Sequence, residues 1–155
     1  MKYVKAALAA AAVAIGLAAV PAQAQISTYV TAMMDALRGE MLRREANAPA
    51  NEGNTYFHGE VGSLNDDENR QAHLIGNWGT GIVTVTGFCD ADCTDLDLFV
   101  VDDLGNEVVS DTATDDTPVV TFTPSADRTY ELRVRMYVCN QGPCFYSVGA
   151  FYRSY

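Results

Sequence analysis

The sequence predicts an all-β domain: an antiparallel, jelly-roll-like β-sandwich of about eight strands, preceded by an N-terminal amphipathic α-helix. From residue 55 onward, short segments rich in β-branched and aromatic residues alternate with clusters of Asn, Asp, Gly and Pro. In residues 129–139 apolar side chains alternate strictly with polar ones, as in a strand with one buried and one wet face. Residues 26–46 instead carry apolar side chains at three- and four-residue spacing, which is typical of a helix.

The first 24 residues predict a cleavable export signal. Lys2 and Lys5 precede an apolar run over residues 6–20, and Ala22 and Ala24 supply small side chains before a cut. The run is about 15 residues long, whereas a membrane-spanning helix needs roughly 20. We therefore expect an exported protein, periplasmic or secreted, with no membrane insertion after signal cleavage.

Cleavage leaves a helical segment, residues 25–48, and a sandwich domain, residues 49–155. It also removes both lysines of the chain, so the net charge changes from −10 to −12. A domain this acidic repels phosphate backbones and anionic lipids, which disfavours nucleic acid and membrane surfaces as partners. Cations and neutral ligands are more compatible with this charge. The alternative is that the negative charge only keeps an exported protein soluble.

The predicted helix begins near Ser27, which has the side chain of an N-cap. Its predicted apolar face consists of Ile26, Tyr29, Val30, Met33, Met34, Leu37, Met41 and Leu42. This face packs either on the sandwich or on another chain, in which case the helix is an oligomerisation element. The oligomeric state itself does not follow from the sequence.

The strands are expected at residues 55–62, 71–77, 81–89, 96–101, 107–110, 118–123, 129–139 and 145–152. Eight short strands at this spacing predict either a jelly-roll-like sandwich or a closed barrel.

The four cysteines bracket two short loops between predicted strands. Local disulfides, Cys89–Cys93 and Cys139–Cys144, are the simplest pairing, and each small ring contributes on the order of 2 kcal/mol. Long-range bonds between the loops and a four-cysteine zinc site are the alternatives, and export favours disulfides over zinc. If the strands run alternately up and down, both loops lie at the same end of the sandwich.

The loop that follows Cys89 is the strongest candidate for metal binding. Its carboxylates are those of Asp90, Asp92, Asp95 and Asp97. Calcium requires six to eight oxygen ligands, which closely spaced carboxylates on a constrained loop can supply in part. The alternative is a solvated acidic turn in which Asp95 or Asp97 hydrogen-bonds to backbone. A later acidic run, Asp111, Asp115 and Asp116, indicates turn chemistry.

The aromatic residues near the C-terminus provide a candidate ligand surface. Exposed rings on a flat sheet stack on sugars or on peptide side chains, whereas most sandwich aromatics fill the core. The candidates for outward-facing rings are Tyr137 and one of Tyr146 and Phe145.

Residues 94–108 resemble the central motif of bacterial pre-peptidase C-terminal domains, in which a D-x-D-L-x-L strand runs into a D-x-x-G-N turn. Residues 120–134 and 144–148 are similar to the next signatures of that family. The resemblance covers residues 53–152 and implies a non-catalytic β-sandwich of secreted proteins that aids secretion or binds polymeric substrates. It also implies calcium, which relatives in collagenases bind. The cysteine loops depart from the usual motif of the family, and we expect no catalytic domain beside the sandwich.

Catalytic motifs such as a G-x-S-x-G elbow, H-E-x-x-H or a Gly-rich phosphate loop do not occur in the sequence. We therefore predict an exported, non-catalytic binding module for a protein or polysaccharide surface, with calcium as its candidate cofactor. The alternatives are a structural or oligomerising envelope protein that uses the N-terminal helix, and a small secreted hydrolase.

Overall fold

One helix and eight strands make up the described part of the computed structural model, which comprises residues 22–47, 55–75 and 81–154. The elements are α1 (Ala22–Ala46), β1 (Thr55–Leu64), β2 (Glu68–Ile75), β3 (Gly81–Cys89), β4 (Cys93–Asp102), β5 (Glu107–Asp111), β6 (Val119–Phe122), β7 (Tyr130–Cys139) and β8 (Cys144–Ser154). Each strand overlaps one that the sequence predicts, so the predicted fold class is confirmed. Of the predicted export signal, residues 1–21 lie outside the described residues.

The strands form two antiparallel sheets that pack face to face. The first sheet has the order β1-β8-β3-β6, and the second has the order β2-β7-β4-β5. The chain changes sheet after every strand except β4, which forms a hairpin with β5. This order is that of a double-sheet jelly roll. The described strands therefore form a sandwich and not the closed barrel that was the alternative.

The core lies between the sheets, and strand alternation determines which side chains enter it. On β7 the residues Tyr130, Leu132, Val134 and Met136 are buried, whereas Arg133 and Tyr137 on the opposite face are exposed. The strand β4 contributes Leu96, Leu98 and Val100 to the same core. Such alternation is the period-2 pattern of a strand with one covered face.

Tyr146 belongs to this core, so its prediction as a ligand-surface residue is wrong. Its side chain is 0% exposed, and its hydroxyl has no hydrogen-bond partner in the described part of the chain. Burial raises the pKa of its phenol. The prediction failed because β8 carries aromatic rings on both faces: Tyr146 and Tyr152 join the core, whereas Phe145 and Phe151 do not.

The helix packs on the outward side of the first sheet. Tyr29 stacks on Phe145 with ring centroids 5.2 Å apart, and the Arg44 guanidinium lies 4.8 Å from the centre of the Phe151 ring. Met33 and Leu37 are buried in this contact.

The predicted apolar face of the helix is only partly correct. Large apolar side chains that remain exposed are those of Ile26, Val30, Met34 and Leu42. Eight apolar positions at these spacings cover a wider arc of the helix than one flat sheet can contact.

The helix ends as its sequence suggests but begins earlier than predicted. At the C-terminal end, the Asn47 side chain donates to the Arg43 carbonyl at 2.7 Å, and Glu40 pairs with Arg43 and Arg44. At the other end the described helix already includes Ala22, so Ser27 lies inside it and is not its N-cap. Ala and Gln favour helix, which is consistent with a continuation through residues 22–25.

Two glycine-to-alanine substitutions give a matched test of this packing. A Cβ at Gly62 would lie 2.6 Å from the Tyr146 hydroxyl oxygen, whereas a Cβ at Gly39 on α1 meets nothing within 4 Å. Gly62→Ala is expected to lower the free energy of unfolding by about 1–3 kcal/mol because it overpacks the core. Gly39→Ala is expected to raise it by up to about 1 kcal/mol. Urea denaturation measures both, and equal effects would contradict the packing at Gly62.

Candidate functional site

Both cysteine loops lie at one end of the sandwich, as strand parity predicts. Disulfides join Cys89 to Cys93 and Cys139 to Cys144, which is the local pairing. Cys93 and Cys139 are register partners on β4 and β7, so the two disulfides are neighbours. The Asn140 N–H donates to the Asp92 carbonyl at 2.8 Å and joins the two loops directly.

Asp90 fastens the first cysteine loop to β8. Its N–H donates to the Phe145 carbonyl at 3.0 Å, and its carboxylate accepts from the Phe145 N–H at 2.9 Å. The residue is buried. Because one carboxylate oxygen accepts a backbone N–H, the side chain of Asp90 has a structural role in the loop, while its other oxygen is buried without a hydrogen-bond partner among the described residues. Asp92 is half-buried and contributes its carbonyl to the contact with Asn140.

Asp95 and Asp97 form a second, separate pair near the start of β4. Each is only 4% exposed, so the predicted solvated acidic turn is wrong for both residues. One carboxylate oxygen of Asp95 is buried without a hydrogen-bond partner among the described residues. A carboxylate oxygen of Asp97 lies 4.0 Å from an Arg135 nitrogen, which is too far for a hydrogen bond.

The segment between β5 and β6 brings the second acidic run to this pair. The Leu96 N–H donates to the Asp115 carbonyl at 2.9 Å. Desolvation raises the pKa of Asp95 and of Asp97, and the charges of neighbouring carboxylates raise both pKa values further. These neighbours are Asp115 for Asp95, and Asp95 and Asp111 for Asp97, while Arg135 acts in the opposite direction on both. Two acidic runs that are separate in sequence thus become neighbours.

The four predicted calcium ligands do not form one group. Asp90 is bonded to β8, whereas Asp95 and Asp97 lie beside Asp111 and Asp115. Within residues 22–47, 55–75 and 81–154, no three His, Cys, Asp or Glu side chains are arranged to hold a metal ion. Calcium binding by Asp90, Asp92, Asp95 and Asp97 therefore stays a prediction, to be tested by titration.

The outward side of the second sheet presents an aromatic ring with a fixed cation above it. Tyr137 on β7 is 48% exposed, and the Arg135 guanidinium lies 4.6 Å from the centre of its ring. The Nε of Arg135 donates to the Asp67 carboxylate at 3.1 Å. That hydrogen bond raises the pKa of Arg135, which stays charged. Asp67 has a left-handed backbone with a φ of 56° in the turn between β1 and β2.

A shallow trough of about 380 Å³ lies on the same side of the sheet. Its lining consists of Asn69, Phe99, Val101, Gly105, Glu107, Arg133 and Arg135. Strand register assembles it, since Phe99 on β4 lies between Arg133 on β7 and Ser110 on β5. A second depression of about 250 Å³ lies beside it and shares Val101, Gly105 and Arg133.

Sequence reasoning identified Tyr137 but missed the residues around it. The alternation of β7 already places Arg133, Arg135 and Tyr137 on one outward face, which was the signal available. The partners are Asp67 in the turn between β1 and β2 and Phe99 on β4, and no local pattern connects them to β7.

No protein-family model matches the chain, and no curated protein is significantly similar to it. In the part of the chain that the structure describes, no helix is both long and apolar enough to cross a bilayer.

Neutralising one buried carboxylate is expected to stabilise the protein in a pH-dependent way. A raised pKa in the folded state means that folding favours the protonated acid, so this contribution to stability falls as pH rises through the folded-state pKa. In EDTA at pH 7, Asp95→Asn should therefore raise the free energy of unfolding by on the order of 1 kcal/mol. The gain should vanish below about pH 4, near the pKa of an unfolded Asp. Urea denaturation at several pH values measures it.

Asp127→Asn is the matched control, because Asp127 is an exposed carboxylate in a turn. An equal gain from both substitutions would mean that only net charge matters, and a loss from Asp95→Asn in EDTA would contradict the desolvation argument. The same proteins test calcium when the metal is added to millimolar concentration. If calcium binds at this pair, added calcium should raise the melting temperature of the wild type but not that of Asp95→Asn. If calcium leaves the melting temperature of the wild type unchanged, the pair is not a calcium site.

Proposed function

We propose that the chain is an exported, non-catalytic module that binds a protein or polysaccharide surface through the outward side of the second sheet. The observation that carries the proposal is the exposed ring of Tyr137, over which Arg135 is stacked. The hydrogen bond from Arg135 to Asp67 holds this pair in place before any ligand arrives.

Preorganisation is what makes this pair suitable for binding. An aromatic ring provides a large contact area at a low cost in side-chain entropy, and its face accepts sugars, cations and peptide groups. A guanidinium that is already fixed loses less freedom when a ligand binds. The rigid strand β7 supports both side chains.

Two further observations support the exported and non-catalytic parts of the proposal. Both disulfides are of the kind that forms in oxidising compartments, which agrees with the predicted export signal. The resemblance of residues 94–108 to pre-peptidase C-terminal domains favours an accessory, non-catalytic role. In the structure, the corresponding turn is closed by Asp102, whose carboxylate accepts from the N–H groups of Leu104 and Asn106.

Co-sedimentation with insoluble cellulose, chitin, peptidoglycan and fibrous collagen tests the proposal. The wild type is expected to bind at least one of these, and Tyr137→Ala should weaken that binding about tenfold, which corresponds to about 1.4 kcal/mol of lost contact. The matched control is Val119→Ala, an exposed apolar residue of β6 in the other sheet. Absence of binding to all four materials, or equal binding by wild type and Tyr137→Ala, would refute the proposal.

A second candidate function is self-association through α1. Its apolar side chains Ile26, Val30, Met34 and Leu42 are exposed although the helix already packs on the sandwich. Self-association through this surface would cover the four side chains, since the same patch on two copies forms a two-fold interface.

Light scattering on the chain from residue 25 onward distinguishes the second candidate. Self-association through α1 predicts an oligomer for the wild type and a monomer for Met34→Glu. Leu104→Glu, at an exposed turn distant from α1 in sequence, should leave the mass unchanged. A monomeric wild type would exclude this function.

A further inference from the structure

The trough on the second sheet has the shape and chemistry of a site for a chain and not only for one small molecule. Its two depressions, of about 380 and 250 Å³, share Val101, Gly105 and Arg133 and are therefore adjacent on the sheet. The strands β4 and β7 provide its floor. A ligand with repeating units can place one unit in each depression.

The floor is apolar and the walls offer both hydrogen-bond donors and acceptors. Phe99 and Val101 are successive outward residues of β4 and lie opposite Arg133 and Glu131 on β7. On the other side, Glu107 is the register partner of Val101. Sugar rings match this arrangement, because they have an apolar C–H face and a rim of hydroxyl groups that donate and accept hydrogen bonds.

Arg133 has donor capacity left for such hydroxyl groups. Its Nε donates to the Glu131 carboxylate, and no further hydrogen bond is formed by its two terminal nitrogens among the described residues. The side chain is 48% exposed. Glu107 accepts from the Ser110 hydroxyl at 2.7 Å with one oxygen, which leaves its other oxygen as an acceptor. Donor and acceptor therefore stand on opposite walls of the trough.

The charges around the trough disfavour anionic polymers. Arg133 pairs with Glu131, and Arg135 pairs with Asp67, so neither cation is without a carboxylate. Glu107 adds a negative charge, and the whole chain carries a net charge of −10. An anionic polymer is repelled by this negative field, whereas a neutral polymer is not. A neutral sugar chain also matches the apolar floor of the trough, on which a cationic polymer would have to desolvate its charges.

We infer that the trough binds a neutral polysaccharide, with a sugar ring on Phe99 and sugar hydroxyl groups on Arg133 and Glu107. The inference rests on the proposed function and specifies its ligand. It adds Phe99, Arg133 and Glu107 to the binding surface.

Affinity electrophoresis of the full mature chain tests this inference with defined polymers. The probes are a neutral β-glucan and a neutral galactomannan, the polyanion alginate, the polycation polylysine and soluble collagen. A neutral polysaccharide should retard the wild type equally at low salt and at about 0.5 M salt, because screening does not affect uncharged contacts. Arg133→Gln and Phe99→Ala should each weaken this binding about tenfold or more, with Val119→Ala unchanged.

The two variants keep the result interpretable. Arg133 is a surface residue, so Arg133→Gln should fold even if Phe99→Ala does not, and thermal melting verifies both. Binding to alginate, polylysine or collagen alone would overturn the inference and leave the proposed function intact. Neutral-polysaccharide binding that depends on Tyr137 but not on Phe99 or Arg133 would overturn the trough as its site. Absence of binding to every polymer, here and in co-sedimentation, would overturn both.

Discussion

The pairing of β4 with β7 in the centre of the second sheet is the constraint on which the rest of the structure depends. In this register Leu98 lies opposite Val134, and both side chains enter the core. One residue further along, Phe99 lies opposite Arg133, and both side chains belong to the outward face. Because side chains alternate along a strand, a slip of one residue would exchange the two faces. One set of backbone hydrogen bonds thus fixes both the core and the proposed binding surface.

The end of the sandwich that carries the disulfides shows how an acidic chain arranges its charge. Asp66 accepts from the Cys139 N–H at 2.8 Å, and Asp90 accepts from the Phe145 N–H. Each carboxylate accepts a hydrogen bond from a backbone N–H that has no strand partner in the loop, and such charge-assisted hydrogen bonds stabilise the fold. Asp95 and Asp97 differ, since they are buried beside further carboxylates with one arginine near them. The same region therefore contains carboxylates that backbone N–H groups stabilise and carboxylates that repel one another, and Asp90 and Asp95 each keep one buried oxygen without a hydrogen-bond partner among the described residues.

The sequence predicted what strand periodicity determines and failed where contacts are non-local. Alternation over residues 129–139 was sufficient to place the core of β7, and the loops CDADC and CNQGPC were sufficient to favour local disulfides. Alternation could not decide which aromatic residues of β8 are buried, because both faces of that strand carry them. The hydrogen bond between Arg135 and Asp67 joins positions 68 residues apart. The charges that surround Asp95 likewise include Asp115, which lies in the segment after β5 and is distant from β4 in sequence.

The division of β7 into inward-facing and outward-facing residues has a consequence for how such a protein evolves. Residues 131, 133, 135 and 137 contact the outside, whereas residues 130, 132, 134 and 136 hold the sheets together. Substitutions in the first set leave the interior packing untouched, and those in the second set leave the surface chemistry untouched. Ligand preference and folding stability can therefore vary independently along a single strand. A scaffold of this kind can acquire a new specificity by a few exterior replacements, without passing through unstable intermediates.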